Sequence, residues 1–582
     1  MIEVLEITGT GSFDAVFFYG WKMKKLKKFI YVMLCLSSAA FFSCQQEESS
    51  SKDYAVVTAT KTADWAYSSS NAIFEVDSSV KSVNITGNLT GKTVYLVKEN
   101  PTDYIIDSED VRYISGGTAR SAVSAEGNDS CLNMNEILNQ SQCVYEHYKE
   151  PEYCDVITSG ARTVNGSSGS FSPVTQLTLT AGTTTKKIYL PTDSSYSSYT
   201  SKECTLKACG TYCNIWVSPD VTVSDTLIST LQSKFDTSYP LVRNVFGNES
   251  EEIYFSYNSK TGDFETKQMN YLDDTSQKVN IVLFDIPKDN VCGFFSAKDY
   301  YANNEDLETI SGFTYKTSDP RYYSNEGKYF YVDSALAASN DTDALLTLVH
   351  EFQHMICFGT KTMSGIGSYD GAFNEMMSML CEDLMLQTLY SSESSVPAAL
   401  TGRLQNFNAG YMYSGLRELR SDSYSSLSYA TAYAFGAWVA RKYGGAELIH
   451  EMASNGYVNN DCLIQAIKSV KSMTKTMDEL VKEFILDVVN DTDWEKSTET
   501  ISGTSYTLSK VSLTDSAYSN KINGSTLLGP VTYYADREIS SLRPAYGLMI
   551  CLYSKLPNDA SSVTINFTTS GAETLKMYLI IK

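Results

Sequence analysis

At 582 residues the chain is too long for a single hydrophobic core. Asp and Glu number 68 against 46 Lys and Arg, a formal charge of −22, which argues against a nucleic-acid partner on electrostatic grounds. With 43% hydrophobic residues, 41 Tyr and 24 Phe, the composition is that of a packed protein rich in strands and excludes general disorder.

In chain order, the first feature is an export leader. Lys22, Lys24, Lys25, Lys27 and Lys28 precede an apolar run from Phe29 to Phe42 that is too short to span a bilayer but suits a signal sequence. Phe41-Phe42-Ser43-Cys44 reads as a loose bacterial lipobox, followed by a polar tether from Gln45. The expectation is an upstream extension and lipoprotein signal over 1–44. Cys44 would then be the lipidated, membrane-attached residue of an exported protein held at the bacterial cell envelope. Thirteen cysteines agree with export. Cys131, Cys143, Cys154, Cys204, Cys209 and Cys213 fall close together and predict disulfides of undetermined pairing.

From Ala55 to Val221 the alternation of Ser82–Thr86, Thr93–Val97, Lys186–Leu190 and Cys213–Val217 predicts strands. These define a β-rich N-terminal domain over 45–222, with a Cys-rich insertion. Helical spacing of Leu227, Ile228, Leu231, Phe235 and Leu241 then opens a catalytic domain over 223–497. Val279–Phe284 is apolar throughout, as an interior strand should be, and Lys328–Asp333 is the candidate edge strand.

The next stretch, His350-Glu351-Phe352-Gln353-His354, carries the chemistry. On a helix, residues four apart share a face, so His350 and His354 can offer ring nitrogens to one cation with Glu351 beside it. Two imidazoles and a neighbouring carboxylate are what metal-assisted hydrolysis requires, and they point to one catalytic zinc ion. A third protein ligand must come from elsewhere. The HExxHxxGxxH continuation fails at Cys357 and Thr360. Asp370 in Gly367-Ser368-Tyr369-Asp370 is one candidate, and Glu375 in Phe373-Asn374-Glu375 is the favoured one because an apolar helix continues behind it. Seven residues on, Glu382 returns to the same face and is proposed to orient a histidine, with Asp383 less well placed. For the oxyanion partner, Tyr433 in Tyr433-Ala434-Phe435-Gly436 is preferred to Tyr429. His450-Glu451 looks like half of a second motif, but Ser454 stands where its second histidine would be. Beyond Asp491, four alternating runs between Val531 and Ile581 predict a C-terminal β-sandwich-like domain over 498–582.

Taken in order, Gly210–Val217, Phe284-Asp285-Ile286, Gly293-Phe294-Phe295, Asp299-Tyr300-Tyr301, Ser324-Asn325-Glu326, His350–Phe358, Phe373–Ser378 and Tyr433–Gly436 resemble the hyicolysin-type zinc metallopeptidases, peptidase family M30. The likeness spans roughly 204–491 and departs from the family at the Cys-rich insertion and at Phe373. It implies a gluzincin-like, secreted or surface endopeptidase with a zincin fold, in which His350, His354 and Glu375 hold zinc and Glu351 is the general base. The fold expected is therefore α+β, a zincin-like catalytic domain between two β-rich flanks, acting on a protein or peptide substrate. The competing expectation is a catalytically inactive surface binding or adhesion lipoprotein on the same scaffold.

Overall fold

A computed structural model describes residues 54–107, 110–115, 179–258, 263–269, 278–303, 315–339, 341–390, 398–522, 525–535 and 541–582. The leader with Cys44, and the segment bearing Cys131, Cys143 and Cys154, lie outside them. Helices and strands are mixed, and no helix among the described residues is long and apolar enough to cross a membrane.

A six-stranded sheet organises the middle of the chain. Its order is Gly293–Phe295, Tyr329–Asp333, Val279–Phe284, Cys213–Val217, Tyr199–Cys209, Thr185–Pro191. The three central strands run parallel and are buried along their whole length, which is why their sequences are apolar without alternation. Two expectations change here. Tyr329–Asp333 is not the edge, because the three-residue strand Gly293–Phe295 pairs antiparallel outside it. Three residues are too few to show a period, so this strand left no alternation to read. The strands at 185–217, assigned by sequence to the N-terminal domain, complete this sheet, which therefore draws on both sides of the expected boundary at 222.

The helix Asp225–Phe246 starts on a Ser224 side chain that accepts from the Leu227 amide, and it buries Leu227, Ile228, Leu231 and Phe235. Phe235 packs edge-on against Phe352 of the HEFQH helix (Asp341–Cys357) with centroids 5.2 Å apart, and tilts against Phe330 of the sheet at 5.8 Å. The HEFQH helix is thereby fixed between sheet and helix. Its Phe352 faces the core, which turns His350 and His354 the other way.

The two flanking β regions join. A five-stranded sheet runs Tyr533–Tyr534, Gly547–Lys555, Thr93–Asn100, Lys576–Ile581, Ile73–Val76, so that a strand from the N-terminal flank sits between two from the C-terminal flank. A second sheet pairs Lys61–Ala66 and Val80–Thr86 with Ser562–Asn566. Arg112, fully buried, ties the two flanks by donating to the carbonyls of Asp77, Ser78, Val80 and Thr568. Separate N- and C-terminal domains are thus replaced by shared sheets, and Asp53–Lys582 packs as one unit. Alternation tells which face of a strand is buried but not which strand lies beside it.

Of the six cysteines expected to pair, the three described, Cys204, Cys209 and Cys213, are free thiols. Cys209, which is exposed, and Cys213, which is buried, flank a tight turn at Gly210, and no disulfide joins any two of the three. Burial pushes the Cys204 thiol up to about 12, which makes it inert.

Candidate metal centre

Three donors converge on one point. His350 and His354, one turn apart, bring their Nε2 atoms to 3.1 Å, and the carboxylate of Glu375 lies 3.2 Å from His350 Nε2 and 3.4 Å from His354 Nε2. All three side chains are buried. Two ring nitrogens and a carboxylate at these separations form a group that could hold a metal ion.

The helix that carries Glu375, Gly371–Leu389, begins on Asp370, whose side chain accepts the Phe373 amide at 2.8 Å and pairs with Arg417 at 2.7 Å. The alternative ligand Asp370 is therefore a helix cap. Ser378, one turn after Glu375, places its Oγ 3.2 Å from His350 Nε2.

Behind the histidine, His350 Nδ1 lies 2.6 Å from Oε1 of the fully buried Glu382, as the seven-residue spacing predicted. The Nδ1–H donates to that carboxylate, which leaves the Nε2 lone pair facing His354 and Glu375. Arg403, on the helix Ala398–Gly410, grips Glu382 with Nη1 to Oε2 at 2.8 Å and Nη2 to Oε1 at 3.0 Å. Burial alone would raise the Glu382 carboxyl, but the Arg403 charge and the His350 bond outweigh it and hold it low. Burial likewise opposes a charge on His350, yet the hydrogen bonds to Glu375 and Glu382 bring its imidazole up to about 10. The pocket is thus built to favour positive charge at its centre, whether a proton or a cation supplies it.

Glu351 is buried beside this group, and burial pushes its carboxyl up. The edge strand passes beside it, since a Cβ at Gly293 would stand 3.5 Å from Glu351 Cγ. That approach depends on Gly293, where a Cβ would come 2.5 Å from Thr347 Cγ2 and 2.6 Å from the Tyr331 carbonyl.

Tyr433 is placed differently from its expected role. Its hydroxyl donates to Asp383 at 3.1 Å, and Asp383 is held by Arg441 at 2.9 Å. The guanidinium of Arg403 lies over the Tyr433 ring at 5.6 Å, so Tyr433 connects to His350 through Arg403 and Glu382. Gly436 owes its place to packing, because a Cβ there would meet Met376 Cγ at 2.4 Å where the two helices cross. His450 donates from Nδ1 to the Val245 carbonyl, away from the centre. Sequence reasoning missed Arg403 and Ser378. Only Ser378 carried a signal, its one-turn spacing from Glu375. Set against protein-family models and curated proteins, the chain finds no match.

Proposed function

We propose that the chain is a zinc-dependent endopeptidase on a zincin-like scaffold, similar to the hyicolysin type, that cuts proteins or peptides outside the cytoplasm and is anchored through Cys44. The observation that carries this reading is the donor triangle of 3.1, 3.2 and 3.4 Å. Ligands about 2.0–2.1 Å from a tetrahedral ion stand about 3.3 Å from one another, so zinc fits between His350, His354 and Glu375 without rearrangement. When bound, zinc would supply Lewis acidity and lower the pKa of a coordinated water toward neutrality.

The remaining steps belong to the protein. Glu351, next to His350 on the helix, takes a proton from the attacking water and returns it to the amine of the departing product. Glu382 and Arg403 keep His350 in the tautomer that presents Nε2. Gly293–Phe295 replaces Tyr329–Asp333 as the strand against which an extended peptide would pair, since it is the sheet edge and Gly293 lies against Glu351.

Cleavage of casein and of an N-terminally blocked peptide by the purified chain, with and without a zinc chelator, tests the reading. Chelator-sensitive cutting of both is expected. Glu351→Gln should lower the rate by at least about a hundredfold while zinc stays near stoichiometric. Retained cleavage in that variant would overturn the mechanism, and a protein that neither cuts nor holds zinc would favour the binding scaffold.

A further inference from the structure

We propose that Arg403 is the positioning residue of the metal centre, acting on His350 through Glu382 and setting how tightly the group holds its ion. The proposal rests on the zinc reading above.

The argument starts from the freedom of a carboxylate. Glu382 must turn one oxygen to His350 Nδ1, and with no other restraint its plane could rotate about the Cγ–Cδ bond, a broad and nearly two-fold torsion. Arg403 removes that freedom. Its two terminal nitrogens each take one oxygen, at 2.8 and 3.0 Å, and this fork fixes the carboxylate plane so that Oε1 stays 2.6 Å from Nδ1. A fixed Nδ1 partner fixes the ring, and the ring fixes where Nε2 stands. Lysine, with one nitrogen on a flexible stem, cannot hold both oxygens.

Arg403 is itself held from two sides. The Tyr433 ring lies beneath its guanidinium at 5.6 Å, and the Tyr433 hydroxyl is tied to Asp383 and so to Arg441. Farther along the same helix, Asn408 donates to the carbonyls of Leu513 and Tyr518, and Gln405 to that of Ser519. The orientation of His350 therefore depends on a segment more than a hundred positions away, as the Asn408–Leu513 separation of 105 shows. This also gives the Tyr433–Asp383–Arg441 chain a purpose: it is the floor on which the Arg403 fork rests.

The test is direct metal binding by the full chain, measured for zinc against a chromophoric chelator and for cobalt(II) by its visible absorption, which reports ligand geometry. Arg403→Gln should weaken zinc by about 10- to 100-fold and shift the cobalt spectrum. Arg403→Lys, which keeps a charge and protects folding, should restore part of the affinity but not the spectrum. Lys328→Gln removes a comparably buried ion pair, the one to Glu249 and Glu251, outside the Arg403 supports, and its zinc affinity should stay within about twofold of wild type. Unchanged zinc affinity and cobalt absorption in Arg403→Gln would overturn the proposal alone, as would an equal loss in Lys328→Gln. A wild-type chain without zinc affinity would overturn the functional reading and this proposal together.

Discussion

Glu382, beside the candidate metal centre, and Glu99, in the five-stranded sheet, are both fully buried, yet they sit in opposite electrostatic settings. Glu382 has a guanidinium on both oxygens and an imidazole on one, and is held low and ionised. Glu99 has a tyrosine hydroxyl, Tyr578 at 2.7 Å, and its carboxyl is pushed by burial up to about 7. Lys98 is its neighbour in sequence and just as buried, but successive strand residues point to opposite faces, so the two cannot pair. Lys98 lies instead over the Tyr113 ring at 4.4 Å, and burial lowers its pKa. The difference teaches that burial does not decide the charge of a group. What decides it is whether the fold brings a counter-charge to the same side of the same element.

The contrast can be broken most severely at Glu382. Glu382→Ala would leave Arg403 buried without its carboxylate, and urea unfolding should show a loss of about 3–5 kcal/mol. A cost below about 1 kcal/mol would mean that water reaches Arg403 and that the centre is less enclosed than its burial indicates.

Glu99 gives the next effect, with the opposite pH sense to a salt-bridged acid. Its pKa is raised in the fold from 4.5 to about 7, so the stabilising protonated form is fully present below the unfolded value. As pH rises from about 4.5 through 7 the unfolded chain releases its proton first, and stability falls by on the order of 3 kcal/mol. Glu99→Gln should flatten that part of the stability–pH curve, read as the difference between wild type and variant. Parallel curves for the two proteins would place an ionised Glu99 in the fold.

The smallest effect is expected at Tyr433. Tyr433→Phe removes the bond to Asp383 but keeps the ring under Arg403, so about 1 kcal/mol of stability should go while kcat for peptide cleavage changes little. A loss of about a hundredfold or more in kcat with normal folding would return Tyr433 to the oxyanion role.

The centre was legible in the sequence where its members share an element. His350 and His354 are one turn apart, and Glu375 and Glu382 two turns apart, so helical geometry alone places each pair on one face. Arg403 lies on another helix, and nothing in the chain near it refers to Glu382. The spacing that singled out Tyr433 is ambiguous, because a Gly436 three residues on also suits a close helix crossing, which is what it provides against Met376. In the fold, the apolar run at 279–284 announced a central strand, whereas the edge strand at 293–295 was too short to show a period. The joining of the two β regions was hidden for another reason, since strand pairing between distant segments leaves no mark in either one.

That joining has a consequence for how the chain reaches its fold. Strand Lys576–Ile581 fills the slot between Thr93–Asn100 and Ile73–Val76, and Tyr578 meets Glu99 across 479 positions. A ribosome releases Thr93–Asn100 long before either of its neighbours exists. Until they arrive, both edges of that strand offer unpaired amides and carbonyls, the surface on which chains aggregate. Closing so long a loop adds an entropic cost that grows only with the logarithm of its length, so the burden is one of waiting time more than of final stability. Early in its life Thr93–Asn100 therefore lacks both of its sheet partners, and a formal charge of −22 is suited to keeping copies of the chain apart meanwhile.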